Sequence, residues 1–445
     1  MSNLPLPQGW KDEPLSTLVE RLESGVSVNS EDKPCAPDEF GILKTSCVNG
    51  GKFDPSQNKV IVASEVVRAA LNPRADSVLI SRMNTFDLVG ETAYVGGDFP
   101  NLFVPDRLWQ TVLRSGLETS TKWLSFVVQS PEFRAGVSRA ATGTSGSMKN
   151  ISQGSYLAIR TRIPPPPQQR RIAEILTTVD EAMEQTEALV GKLEQLKAGL
   201  MHDLFTRGVT PDGHLRPTRQ EAPHLYHETP LGWLPKEWEI VSLQTEIGIG
   251  HGFAFSGEFF SDVPPGSVLL TPGNFHRDGG LYFTAGNTKY FQGPIPKETI
   301  LEHGEMVTVM TDLSPQTLIL GRFALVETTF PVLHNQRVGR VNLKNKTGWE
   351  WNYLCHALNN ESLRRQIIVE ATGTTVRHTS PGRILSKQIA RPPRGEQRTS
   401  LSIMSAMNQQ IVLEKEVFAK LRQQKQGLMQ DLLTGRVRVD SSKES

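Results

Sequence analysis

Lys197-Ala198-Gly199-Leu200-Met201-His202-Asp203-Leu204-Phe205-Thr206 is echoed near the end of the chain by Lys425-Gln426-Gly427-Leu428-Met429-Gln430-Asp431-Leu432-Leu433-Thr434. The two stretches lie 228 positions apart in 445 residues. A period this long marks two whole domains rather than a solenoid. The same offset joins Gln169-Arg170 to Gln397-Arg398, Ile175 to Ile403, Leu193 to Leu421, Pro7 and Trp10 to Pro235 and Trp238, and Leu15 to Leu243. Ala141-Thr142-Gly143-Thr144 pairs with Ala371-Thr372-Gly373-Thr374 at an offset of 230, and Lys149-Asn150-Ile151-Ser152 with Arg377-His378-Thr379-Ser380 back at 228. The interiors, residues 25–135 and 253–365, match poorly. Each repeat is a similar frame around a divergent body.

Proline clusters (Pro164–Pro167; Pro392-Pro393) precede both helical stretches, where proline suits a first turn. In the first, Ile172, Ile175, Val179, Met183, Val190, Leu193, Leu196, Leu200 and Leu204 recur at helical spacing; in the second, Leu401, Met404, Ile411, Phe418, Leu421, Leu428 and Leu432 do. Roughly 38 helical residues span about 57 Å. A helix that long with one apolar stripe needs a partner, and the other copy is the nearest one. Antiparallel pairing about a pseudo-twofold axis is the expected arrangement. The alternative is that each helix packs on its own domain.

The fold class expected is α+β: two similar mixed α/β domains separated by a pair of long antiparallel coiled-coil helices. The expected divisions are a first domain at 1–164, a first spacer helix at 165–207, a connecting loop at 208–228, a second domain at 229–393, a second spacer helix at 394–436 and a disordered tail at 437–445. Strands are expected at Val78–Ile80, Thr92–Val95, Val307–Met310 and Phe323–Val326, and helical pieces near 15–23, 61–71, 120–140 and 351–370.

Composition sets outer bounds. No run of 18 apolar residues exists, so no membrane span is expected. Met1 to Trp10 is broken by proline and lacks the apolar core of a signal peptide. Cys35, Cys47 and Cys355 form no metal spacing and suit a reducing, cytoplasmic setting. The formal net charge is +1, but its distribution is uneven. Residues 133–173 contain no acid and carry Arg134, Arg139, Lys149, Arg160, Arg162, Arg170 and Arg171; residues 371–395 contain none and carry Arg377, Arg383, Lys387, Arg391 and Arg394. Two acid-free basic blocks at equivalent places suit two equivalent phosphate contacts; the plainer reading is a solvated basic surface.

Catalytic motifs are missing. There is no P-loop, no H-E-x-x-H, no C-x-x-C and no G-x-S-x-G. Gly248-Ile249-Gly250-His251-Gly252 reads as a flexible loop or bulge rather than a nucleotide loop. No catalytic, cofactor or metal residue is nominated, and no enzyme activity is expected of the chain.

The order of parts resembles the DNA-specificity subunit of type I restriction–modification systems. It runs domain, proline cluster with Gln-Arg (Pro165-Pro166-Pro167-Gln168-Gln169-Arg170; Pro392-Pro393-Arg394-Gly395-Glu396-Gln397-Arg398), long helix and Lys-x-Gly-Leu-Met-x-Asp-Leu, and then repeats. Leu231–Trp238 resembles that family's opening of a target-recognition domain. Ile80-Ser81-Arg82-Met83-Asn84-Thr85 with Leu88-Val89-Gly90 resembles a mid-domain strand and loop, and Gly373–Ser380 the closing segment. The first repeat departs from the pattern in lacking an acid before Gln169-Arg170, and Thr311-Asp312 stands where the first strand motif has Arg-Met. The resemblance implies a non-catalytic subunit whose two domains read the halves of a split, asymmetric site on double-stranded DNA, with the helices as a ruler. It implies two modification (methyltransferase) subunits as partners, which hold S-adenosylmethionine, and restriction subunits with ATP and Mg as further ones. No cofactor is expected in this chain.

Under that implication, base contacts are assigned to Arg82, Asn84 and Thr85 in the first domain and Asn274, His276 and Arg277 in the second, with Lys149 and Arg377 as phosphate contacts and His378 beside them. Two rivals stand: a non-DNA protein scaffold with two binding domains on a coiled-coil rod, and an enzyme with an unrecognised site.

Overall fold

The computed structural model describes residues 5–85, 87–143, 148–314 and 316–439. They divide into two compact units, 1–189 with 414–445, and 190–413. The tail expected from 437 lies mostly outside the described residues, as does part of the Met1–Trp10 segment.

In the first unit an antiparallel sheet runs in the order Thr92–Val95, Ser77–Ser81, Leu108–Leu113, Val19–Ser24. A second sheet orders Leu102–Phe103, Gly41–Leu43, Asn58–Ile61 and Ser30–Glu31, its first pair parallel. The second unit repeats the first sheet as Phe323–Leu325, Met306–Val309, Val338–Leu343, Ile247–His251. Its other sheet has five strands among the described residues, in the order Phe260–Ser261, Lys289–Phe291, Ser267–Leu270, Val332–His334, Ile300–Leu301. A two-stranded ribbon closes each domain at a register that keeps the 228 offset: Lys11 faces Ile163, and Glu239 faces Arg391.

Several local expectations change. Residues 15–23 are not a helix: Leu15–Thr17 is one 3-10 turn, and Val19–Ser24 is a strand whose Val19 and Leu22 are buried. Leu15, Leu18, Val19 and Leu22, all buried, fall at i, i+3, i+4 and i+7, the helical spacing, and pairing with Leu108–Leu113 overrides it. Residues 63–68 make only a 3-10 turn with no buried side chain. The piece at 120–140 breaks into Thr121–Gln129 and Pro131–Ala140, because Ser130 caps the second helix by accepting from Phe133 N at 3.3 Å and proline follows in its first turn. Residues 351–370 break in the same way at Asn360, which accepts from Ser362 N at 2.8 Å. The Gly248–Gly252 stretch is mostly strand, Ile247–His251, rather than a loop.

The long helices are Pro166–Thr206 and Arg394–Leu433. In the first unit the start of one and the end of the other share a core: Ile172, Ala173 and Leu176 with Met429, Leu432 and Leu433, against Trp10, Trp123 and Phe126. In the second unit Met404 and Leu204 enter a common core with Trp349, Tyr353 and Leu354. Start meets end in each unit, so the two helices run antiparallel there. Lys425 Nζ lies 2.6 Å from Asp180 across that pair. The stripe is not evenly buried: Leu204 is fully buried while Leu196 is 52% exposed. Burial is deepest where the helices meet the domains, so helix packing and domain packing act together rather than as alternatives.

The Gln-Arg motif has a structural cause. Gln169 Oε1 accepts from Ser120 N at 3.0 Å and its Nε2 donates to Pro164 O at 2.9 Å. Gln397 Oε1 accepts from Glu350 N at 2.8 Å, and its Nε2 donates to Pro392 O at 2.8 Å and Gly348 O at 2.9 Å. Both glutamines are buried, at 2% and 0% exposed. Each ties a long helix to the cap of its domain's helical pair. The residue before each also forms a partly buried tie: Gln168 accepts from Trp10 Nε1 at 2.8 Å in the first domain, whereas Glu396 accepts from Arg216 and from Val209 N at 2.9 Å in the loop that follows the first long helix. The acid that the first repeat lacks is replaced by an amide serving a tryptophan.

Among the described residues no helix is long and apolar enough to cross a membrane, and no group of His, Cys, Asp and Glu could hold a metal ion.

Gln169→Ala and Gln397→Ala should each cost about 1–3 kcal/mol, because each strands a buried N–H and a carbonyl; urea unfolding reads this, and an unchanged midpoint would contradict the stapling role. His356, largely buried, has its pKa lowered by desolvation and by Lys197. Below the ordinary histidine range of about 6.5 the unfolded chain takes up protons that the folded one refuses, so stability falls as pH drops. His356→Phe, which copies Phe126 at the matching position of the first unit, should flatten the urea midpoint between about pH 7 and 5.5; His334, also lowered by burial, leaves a residual slope.

Candidate nucleic-acid interface

In the first unit Met83–Asn84 pairs with Lys149–Asn150, setting Lys149 opposite Asn84. Thr142 and Asn150 exchange backbone hydrogen bonds of 2.8 and 3.0 Å, and Ile151 N donates to Arg82 O at 3.1 Å. In the second unit Thr311–Asp312 pairs with Arg377–His378, setting Arg377 opposite Asp312. Thr372 and His378 exchange bonds of 3.0 and 2.8 Å, and Thr379 N donates to Met310 O at 3.0 Å. The mid-domain strand and the closing segment, quoted separately from the sequence, are the two sides of one small ladder. Gly143 and Gly373 turn the chain there at φ 149° and 95°. A Cβ at either would lie 2.7 Å from Met148 O or 2.0 Å from Val376 O, so glycine is required by contact as well as by dihedral.

These bonds correct the match between repeats by one residue. Arg82 corresponds to Met310, Met83 to Thr311 and Asn84 to Asp312, so Met310-Thr311, rather than Thr311-Asp312, stands in place of Arg-Met. A poorly matching interior had hidden the register, which backbone pairing reveals.

Arg82, Asn84, Thr85 and Lys149 are thus brought together, as are Arg377 and His378. Arg82 is half-buried with its Nε enclosed and without a hydrogen-bond partner. Asn84 Oδ1 accepts from Thr85 N at 2.9 Å, and Thr85 is exposed. Lys149 Nζ donates to Gly143 O at 2.8 Å. Arg377 donates to Gly373 O and Ile368 O, each at 3.3 Å, and His378 Nδ1 lies 3.1 Å from Thr311 Oγ1. Asn274, His276 and Arg277 lie on a separate loop. Asn274 is fully buried: its Oδ1 accepts from Thr271 N at 2.8 Å and its Nδ2 donates to Asn287 O at 3.1 Å. Its amide folds the loop and is not displayed to a base. His276 and Arg277 are exposed, His276 with its Nδ1 3.5 Å from Asp278.

The basic blocks are acid-free in sequence but not in space. Arg134 meets Glu91, Arg160 meets Asp12 and Arg170 meets Glu118. Lys387 pairs with Glu370, Arg391 with Glu239 and Glu246, and Arg394 with Glu350. Among the described residues Arg139, Lys149, Arg377 and Arg383 carry no carboxylate partner. Two are on the paired ladders, and Arg383 donates to Thr372 Oγ1 at 3.1 Å, on the hairpin that Arg377 shares. The residue most missed from sequence is Asp312, 1% exposed, whose carboxylate organises the loop after its strand. Its Asp-x-Ser spacing to Ser314 was the available signal.

No family model matches the chain. The MjaVIII type I restriction enzyme specificity subunit of Methanocaldococcus jannaschii is 22% identical over 295 residues, 65% of this chain and 65% of that protein's length. The putative MjaX type I specificity subunit of the same organism is 20% identical, over 98% of this chain and 95% of that one. Among solved structures, the type I restriction–modification S subunit of M. genitalium superposes with TM-score 0.53 at 13% identity, over 97% of this chain and 98% of that one. A chain from a structural study of type I R-M complex assembly and conformational transition gives TM-score 0.57 at 15% identity, over 98% and 100%. The chain is similar in sequence to type I restriction enzyme specificity subunits and has their fold.

Proposed function

We propose that this chain is a non-catalytic, sequence-specific DNA-binding specificity subunit of a type I restriction–modification complex. Its two domains read the two halves of a split site on double-stranded DNA. The observation that carries the reading is the twice-built ladder that presents a cation without a carboxylate partner, Lys149 in the first unit and Arg377 in the second. The similarity to named specificity subunits supports it. Phosphate contacts from Lys149 and Arg377 position each domain, and side chains on the neighbouring loops read base edges. The domains are taken as 1–164 and 229–393, joined by helices at 165–207 and 394–436 whose length sets the unread spacer. Two methyltransferase subunits dock on the helices, where Leu196, Val412 and Leu413 are 52%, 53% and 55% exposed; restriction subunits complete the assembly. S-adenosylmethionine, ATP and Mg belong to those partners.

Binding to duplex DNA should weaken with salt at a log–log slope of about −4 to −6 if five to seven phosphates are neutralised. Lys149→Ala with Arg377→Ala should flatten that slope by about 2. A salt-independent affinity, or none with the methyltransferase present, favours a non-DNA scaffold instead. Removing one turn, about 5.4 Å, from both helices should shorten the spacer and leave both half-sites intact; altered half-sites would contradict the ruler.

A further inference from the structure

Along the ladder strand and the glycine after its loop, the two units have equivalent backbone hydrogen bonds. Gly90 N donates to Ser81 O at 2.7 Å, and Gly321 N to Val309 O at 3.0 Å. Both glycines hold positive φ, 75° and 70°. A Cβ on either would press on the equivalent helix of its own unit, at Val137 (2.5 Å) or Ile367 (3.0 Å). The strand residues before the loop, Asn84 and Asp312, match as well. Between these fixed points the first unit has five residues, 85–89, and the second has eight, 313–320. A longer loop between two matched points of the frame is a place where function diverges.

The longer loop is held from inside. Asp312 Oδ1 accepts from Ser314 N and Ser314 Oγ, each at 2.7 Å; Oδ2 accepts from Ile319 N at 2.7 Å and Leu320 N at 3.1 Å. Arg364 donates to Thr317 O from the other side. The loop turns Leu320 inward, to 0% exposure, and packs Ile319 on the core, but leaves Leu313 63% and Leu318 42% exposed; Val369, beside the Ile368 carbonyl that Arg377 contacts, is 82% exposed. Exposed apolar side chains on a loop leaving the strand that faces Arg377, a cation with no carboxylate partner among the described residues, mark a contact surface. The matching loop of the first unit has one exposed leucine, Leu88 at 42%, where the second has two, and Arg139 stands where the second has Val369, 230 residues on.

We propose that Leu313 and Leu318 are specificity-determining residues of the second unit. They enter a groove of the duplex and contact the apolar edge of A·T pairs, the thymine methyl foremost, while Arg377 holds the adjacent phosphate. This rests on the DNA reading above.

The test is selection from a randomised duplex library by the full chain with its methyltransferase partner, followed by sequencing. Wild type should enrich a split motif with a thymine preference in one half. Leu313→Ser with Leu318→Ser should lower that preference about fivefold or more, leave the other half-site and the salt slope unchanged, and keep the unfolding midpoint. Replacing that thymine by deoxyuridine should weaken wild type and not the variant. The single Leu318→Ser variant reads the same effect if the double variant folds poorly. Unchanged preferences in both halves, equal loss in both, or lost capture of the methyltransferase with DNA selection intact would each overturn the assignment. A wild-type chain that enriches no motif would overturn the DNA reading itself, a result distinguishable from the others.

Discussion

The beginning of one long helix and the end of the other meet inside each core, and the rest of the architecture depends on that meeting. Leu176 and Leu432 are 0% and 4% exposed in the first unit, and Met404 and Leu204 are 4% and 0% exposed in the second. Neither domain buries its helical pair with its own helix alone. The glutamine staples fix where each helix departs: Gln169 and Gln397 exchange hydrogen bonds with the cap of the helical pair and with the proline carbonyl behind them. Buried amides with both ends satisfied hold geometry well, because any rotation leaves unpaired groups.

The frame was legible from sequence because it is duplicated. Helical periodicity, proline clusters and the Lys-x-Gly-Leu-Met segment recur at a fixed offset, and each maps to a feature whose geometry allows little variation. Residues 15–23 read as helix because Leu15, Leu18, Val19 and Leu22 fall at i, i+3, i+4 and i+7; pairing with Leu108–Leu113 outweighs that spacing and makes Val19–Ser24 a strand. Leu196 was counted into a buried stripe, but burial there depends on what lies opposite, which periodicity does not encode.

The candidate interface was legible in part. Lys149 and Arg377 emerged as equivalent, and their partners Asn84 and Asp312 lie opposite them on the ladders. Asn274 failed because a polar residue between strand-like runs has two uses, displayed or folded inward, and its amide closes its own loop. The basic blocks overstated free charge, since Glu246, Glu239 and Glu350 reach them from elsewhere in the second unit. Distance along the chain says little about which acid neutralises which base.

The placement of residues 414–439 in the first unit has a temporal corollary. The second unit comprises 190–413 and has all its parts once those residues have left the ribosome, whereas the first waits for Met429, Leu432 and Leu433 to be translated. The half whose sequence is made first therefore closes its core last. Until then Trp10, Trp123 and Phe126 lack the helix that covers them, and nascent chains at that stage are the ones most in need of a chaperone.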